Sequence, residues 1–262
     1  MAHPNFLLNS RTLIIGGSSG LGFAVASAAL SNGSQVHITS VTADKLSAKI
    51  TQLQSLYPTA HVSGSVADLS STETLEANLR SVLDAAVKET SGVLDHIVYT
   101  AGDGRSREPL AEATAVSVLK PFTVRYLGPL LVGKLVAANP GKYLNPTASS
   151  SITLTSGFMA HRPRPGVSTM IGVSGAVEVL TRALAVDLAP IRVNVVIPGF
   201  VDTELVQRTL EKNTAMLSVF EGASLTKKIG TPEGAAEAYL FCMRSALATG
   251  QGFKIDNGAL LA

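Results

Sequence analysis

The stretch that most constrains this chain is Thr12–Gly22, TLIIGGSSGLG. Leu13, Ile14 and Ile15 form a short continuous apolar run, the pattern of a strand buried on both faces. The run enters a glycine-rich turn holding Gly16, Ser18, Ser19, Gly20, Leu21 and Gly22, and the small apolar Phe23-Ala24-Val25-Ala26 then opens a helix. A buried strand, a tight turn and a helix N-terminus aim unpaired backbone N–H groups at one point and so make an anion site. In such a turn Gly16 permits the sharp reversal. Gly20 leaves no Cβ between the backbone and a diphosphate, and Gly22 lets the helix close on the strand.

The remaining chain repeats the alternation of strand and helix. Strands are expected at Gln35–Ser40, His61–Val66, Leu94–Tyr99, Ser151–Thr155, Ile191–Ile197 and Phe253–Ile255. Helical spacing runs through Asp44–Leu56, Ser71–Lys88, Leu127–Ala138 and Gly172–Leu188, and Thr231-Pro232-Glu233 opens a further helix with a threonine cap and a proline in its first turn. Residues Val201–Ala223 read as a mobile loop with short helices, so that about 200–225 is the expected substrate loop. This alternation predicts an α/β fold: a single Rossmann-type, doubly wound parallel sheet with helices on both faces, spanning residues 1–262 as one domain. Ligands of such sheets lie at the carboxyl ends of the strands, here Gly16–Gly22, Ser40, Asp68, Thr100–Gly104, Ser156 and Pro198–Thr203.

Composition narrows the function classes. Only 15% of residues are charged while 46% are apolar, which points to large apolar surface buried between subunits. A formal charge of +2 offers no special attraction for nucleic acid or membranes. The lone Cys242 excludes an intrachain disulfide framework and fits a reducing, cytoplasmic location; its helix-like surroundings make it a core thiol rather than a nucleophile. No secretory leader is read in Met1–Arg11, no stretch approaches the ~20 apolar residues of a bilayer span, and no metal site is expected.

Taken in order, the strand ends resemble the short-chain dehydrogenase/reductase superfamily over nearly the whole chain. GGSSGLG resembles its diphosphate turn. Asp68 resembles the acid that touches adenine, and Thr100-Ala101-Gly102 its Asn-Ala-Gly segment. Pro198-Gly199 with Thr203 resembles the segment on the nicotinamide side. The run from Arg182 through Asn194, RALAVDLAPIRVN, is close to a family signature. The resemblance implies a nicotinamide dinucleotide cofactor and a homodimer or homotetramer that buries the helices Leu127–Ala138 and Gly172–Leu188. At the end of the second strand an acid would bind the ribose 2′-hydroxyl and repel a 2′-phosphate. Ser40 stands there, followed by Thr42 and Lys45, so NADP(H) is the expected cofactor.

The reaction centre departs from the family. Its Ser matches Ser156, but the Tyr place falls on Met170, the Lys place on Ser174 and the Asn place on Arg125. Between Tyr143 and Lys212 the chain has neither tyrosine nor lysine, so no shift of register restores the pair. Met170 cannot carry a proton and Ser174 cannot supply a cation. The groups left for catalysis are Ser156 as donor, Arg125 as a fixed cation facing the cleft or paired with Asp103 or Glu108, and His161 from the following loop. Met170, Ser174 and Arg164 would line the substrate pocket. The run Leu144–Gly157 also resembles a fungal, natural-product subgroup that lacks the Tyr/Lys pair. Some of its members resemble an imine reductase that guides a Diels–Alder closure through an acid in the loop after the Ser. The comparable Arg164-Pro165-Gly166-Val167 has no acid. Two functions follow: an NADP(H)-dependent reductase of an activated C=N, C=C or C=O group on a small apolar substrate, or a cofactor-binding protein without hydride transfer, whether cyclase, isomerase, Diels–Alderase or binding protein. Met170→Phe is expected to alter the substrate profile; an unchanged profile would place this position outside the cleft.

Overall fold

The computed structural model describes residues 4–102, 108–212 and 214–262. Its centre is a seven-stranded sheet in the order β3-β2-β1-β4-β5-β6-β7, with every neighbouring pair parallel. The strands are β1 Arg11–Ile15, β2 Gln35–Ser40, β3 Val62–Val66, β4 His96–Tyr99, β5 Ser151–Thr155, β6 Arg192–Pro198 and β7 Gly252–Ile255. The helices are α1 Gly20–Ser31, α2 Ala43–Leu56, α3 Leu75–Glu89, α4 Ala115–Phe122, α5 Gly128–Ala138, α6 Ser168–Asp187, α7 Glu204–Lys212, α8 Ala215–Gly222 and α9 Pro232–Arg244. The pleat of β1 divides the core. Leu13 and Ile15 face a cluster with Leu79, Val132, Val177 and Leu184 from α3, α5 and α6. Ile14 faces another with Val25, Leu53 and Leu240 from α1, α2 and α9. Helices therefore cover both faces, as the alternation of elements predicts, and the chain reverses its winding direction between β1 and β4.

The elements differ from their sequence-based limits where local signals are weak. Leu94 makes only an isolated bridge to Leu144, so β4 begins at His96. The helix expected from Ser71 begins at Leu75, and α6 begins at Ser168 rather than Gly172. Its first turn has no side-chain cap, hence no start signal to read, and Met170 lies inside it. Helix α4 was not expected, although a Thr114–Ser117 capping box opens it. Pro121 interrupts its pattern, and residues Thr123–Leu127 continue as a π-helical turn into α5. The expected loop at 200–225 contains two helices, α7 and α8. Residues 115–138 and 168–187 correct the expectation on apolar length: these helical runs of 24 and 20 residues each contain an 18-residue stretch, of mean hydropathy 1.2 and 1.4. They pass a span's length and apolarity, yet α5 and α6 bury one side on the sheet. Membrane crossing needs lipid-facing surface all round, so this is weak evidence of a span.

Several buried polar groups are paired locally. Arg192 on β6 donates to the carbonyls of Ala148, Cys242 and Met243 at 2.6, 2.6 and 2.8 Å. It thereby ties β6 to the carbonyl end of α9, where a cation suits the helix dipole. Cys242 is buried beside it, and desolvation pushes its thiol up to about 12, which suits the core role and not a nucleophile. His37 sits between the hydroxyls of Ser63 and Ser65 at 2.8 and 2.7 Å, and His96 meets Ser151 Oγ at 2.9 Å.

Burial, with smaller help from His61 for His37 and from Arg192 for His96, holds these two imidazoles down to about 4 and about 3, against an ordinary 6.5. The unfolded chain therefore binds protons below pH 6.5 that the folded chain refuses, and stability falls as pH drops through that window. Urea unfolding at pH 5 is expected to give a stability lower than at pH 7 by about 4 kcal/mol. His37→Asn should remove about half of that loss; an undiminished loss would place the titrating groups elsewhere.

Candidate active site

The anion seat is built by close approach. Gly16 turns the chain at φ +93°, and the amides of Thr100 and Ala101 both donate to Ile15 O at 2.9 Å, locking the ends of β1 and β4 together. Thr100 Oγ1 adds donation to the carbonyls of Ile15 and Gly16 at 3.2 and 3.3 Å. A Cβ on Gly22 would collide with the Gly16 carbonyl and the Thr100 hydroxyl, which is the steric reason for glycine at the third place of the turn. Thr100 thus ties strand ends together, and its hydroxyl is spent on carbonyls. Ser18 is buried; Ser19 precedes α1 with extended backbone and no side-chain cap, leaving the helix N–H groups to other acceptors. Leu21 lies in the first turn of α1.

The outer parts of the seat follow the strand ends. Asp68 is exposed after β3 and accepts from Ser70 N–H at 2.9 Å. The Ser70 hydroxyl first, and then this N–H, hold its carboxyl below the usual range. Ser40 Oγ, at the end of β2, is buried with no hydrogen-bond partner among the described residues, while Thr42 and Lys45 are exposed just beyond it. On the other side Pro198 ends β6, and Gly199 N–H donates to Ile255 O at 3.0 Å. A dinucleotide fits this arrangement: a glycine cradle at a helix N-terminus, an unfilled donor at the β2 end and open backbone at β4 and β6. Thr203 closes the seat from above, with its methyl 3.2 Å from where a Gly20 Cβ would be.

The catalytic wall differs from the sequence expectation by one carboxylate. Ser156, buried at the end of β5, donates Oγ–H to Glu178 Oε1 at 2.8 Å and lies 3.1 Å from the carbonyl of Ser174. Glu178 Oε2 lies 2.8 Å from His161 Nε2. Ser156 and His161, named from sequence, are therefore brought together by a residue that was not named. Glu178 lies one turn beyond Ser174 on α6. The i to i+4 spacing carried that signal, but only the position of β5 shows which face of α6 meets Ser156. Met170 and Ser174 are buried, with Ser174 contributing its carbonyl to the wall.

Arg125 sits in the π-helical turn. The unusual winding there leaves Val124 O to accept from the buried Tyr99 hydroxyl at 2.6 Å, and it aims Arg125 at β4: a Cβ on Gly102 would strike the guanidinium. Its cationic end thus lies against the end of β4. Of the two acids offered as its partners, Glu108 accepts from Ser117 Oγ and Asp103 lies outside the described residues. Arg164 stacks its guanidinium 5.1 Å from the Phe200 ring centre. Phe200 in turn meets Phe158 edge-on at 4.9 Å and stacks on Phe220 at 4.1 Å. An aromatic block thereby joins the loop after Ser156 to Pro198-Gly199 and α8.

Comparison with known proteins agrees with this geometry. The SDR-like Rossmann domain family matches residues 3–262. The short-chain dehydrogenase/reductase ATR9 of Stachybotrys chlorohalonatus is 38% identical over 249 residues, covering 95% of this chain and 96% of its own. The structure of the MalC reductase/Diels-Alderase from Malbranchea aurantiaca superposes with a TM-score of 0.92 at 37% identity, covering 98% of this chain and 99% of that one. A short-chain dehydrogenase from Burkholderia cenocepacia, solved in complex with NADP, shares the fold with a TM-score of 0.83 at 24% identity, covering 97% of this chain and 98% of that one. With the strand order, the glycine cradle and a family match running almost end to end, the chain belongs to the short-chain dehydrogenase/reductase family.

Proposed function

We propose that this protein is an NADP(H)-dependent reductase of fungal-type secondary metabolism that acts on an activated C=N, C=C or C=O group of a small apolar substrate. The observation that carries this reading is that the glycine cradle, at the end of β1, and the hydrogen-bonded set Ser156–Glu178–His161, at the end of β5, stand on the same carboxyl edge of the parallel sheet. The unfilled Ser40 donor, exposed Thr42 and Lys45, and no carboxylate at the β2 end support NADP(H) over NAD(H). The glycine turn Gly16–Gly22 would hold the diphosphate, Asp68 the adenine, and Thr100-Ala101-Gly102 with Pro198-Gly199 and Thr203 the nicotinamide half.

When bound, the cofactor supplies a hydride. The chain's own groups then manage charge and protons. The Arg125 guanidinium on Gly102 offers a fixed positive charge to an oxyanion or enolate, the kind of preorganised stabilisation that is worth most in a site shielded from water. Ser156 is the proton donor nearest the wall, but its proton points at Glu178 Oε1. It reaches substrate by turning away from that carboxylate, whose other oxygen is joined to the exposed His161. Met170 and Ser174 supply shape in place of the phenol and ammonium. A cationic C=N group needs no proton after hydride addition, and an activated substrate asks least of this donor set.

A second reading retains the cofactor without turnover of hydride, the protein serving as a scaffold for cyclisation; the MalC relative, named both reductase and Diels-Alderase, favours keeping it. For assembly we propose a homodimer or homotetramer. Val116 and Leu119 on α4 and Val179 and Val186 on α6 are 79%, 62%, 58% and 77% exposed, an apolar surface suited to burial against another copy. The inner face of α5 is already covered. We place the protein in the cytoplasm.

NADPH absorbance followed with a panel of imines, enones and ketones separates the two readings: consumption with any of them removes a purely non-redox role. With a neutral ketone, Glu178→Gln is expected to lower kcat by about 100-fold and to leave a preformed iminium probe unaffected. Equal loss on both would rule out a proton path through Glu178. Gly20 has φ +49°, and a side chain there would point toward Thr203 and Glu204. Gly20→Asp is therefore expected to abolish NADPH binding measured by fluorescence; retained affinity would disprove the assignment of the turn.

A further inference from the structure

The N-terminus of α1 already holds an anion from the chain itself. Gly20 N–H donates to Glu204 Oε2 at 2.7 Å. Gly20 is the first residue of α1, and Glu204 is the first residue of α7. The contact crosses 184 positions of sequence. It joins α7, which packs on the neighbouring α8, to the start of α1. Thr203 presses on the same spot, 3.2 Å from the place of a Gly20 Cβ.

A helix N-terminus favours negative charge, and a carboxylate on its N–H makes a charge-assisted bond. A dinucleotide diphosphate seeks those same groups. One N–H in this exposed contact cannot serve both acceptors well, and two anions at contact distance repel each other. We propose that Glu204 is an internal competitor of the cofactor diphosphate: it fills the seat, must withdraw before the dinucleotide settles, and thereby weakens cofactor binding. The inference rests on the assignment of Gly16–Gly22 as the diphosphate turn. It adds a residue that sets affinity from outside that turn.

The test is NADPH binding by the full-length protein, followed by nicotinamide fluorescence and by thermal shift, for wild type, Glu204→Gln and Glu204→Ala. Glutamine keeps the acceptor and removes the charge; alanine removes both. Both variants are expected to bind NADPH about tenfold more tightly than wild type, and inorganic pyrophosphate alone, read by thermal shift, should bind them about tenfold more tightly as well. Binding by the variants alone would support the proposal further. Binding by wild type with equal or weaker affinity in both variants overturns the proposal and leaves the cofactor assignment standing. No NADPH or NADH binding by any of the three overturns both.

Discussion

The structure depends on how closely α1 lies on the joined ends of β1 and β4. Gly22 packs so near the Gly16 carbonyl and the Thr100 hydroxyl that a methyl group has no place. That approach stacks the helix axis behind the turn and points its first N–H groups along the crevice between the strands. The crevice opens there because β1 has β2 on one side and β4 on the other, so the covering helices leave in opposite directions. Steric exclusion at Gly16 and Gly22 thus fixes how the turn lies against the strand ends.

Around this fixed seat the chain has rearranged its charges. On the register we propose, the places where family members carry a phenol and an ammonium hold the Met170 thioether and the Ser174 hydroxyl, both buried. The polar work moves to residues that approach from neighbouring elements. Glu178 enters from α6 and holds Ser156 and His161 on its two oxygens. Arg125 enters from a π-helical turn whose extra residue per winding swings it onto Gly102, and such turns occur frequently at functional sites. A rigid cation and a shared carboxylate can stabilise charge and pass a proton, but they cannot reproduce a phenol poised by an ammonium. The chemistry best matched to them starts from a substrate already activated.

The fold was legible because its signals are local. Short apolar strands, glycine turns and amphipathic helices repeat along the chain, and each strand end carries a residue type that the architecture demands. Boundaries were missed where local signals were silent or conflicting: α6 starts without a cap, and Pro121 disguises α4 although the Thr114–Ser117 box announces it. Within the site, Ser156, Arg125 and His161 could be named because they stand at positions set by register. Glu178 could not, since its meeting with Ser156 depends on the rotation of α6 above β5. Glu204 lay in what read as loop, and nothing nearby in sequence points it at Gly20.

What the sequence determined by itself is the scaffold with its glycine turn, together with the absence of tyrosine and lysine between Tyr143 and Lys212, because glycine conformations, apolar periodicity and residue content are properties of short segments. What only the tertiary structure decided is which carboxylates occupy the cleft. Glu178 reaches Ser156 across 22 residues and Glu204 reaches Gly20 across 184. Contacts of that kind form when separately covered elements are packed to within hydrogen-bonding distance, and no local pattern records the distance between them.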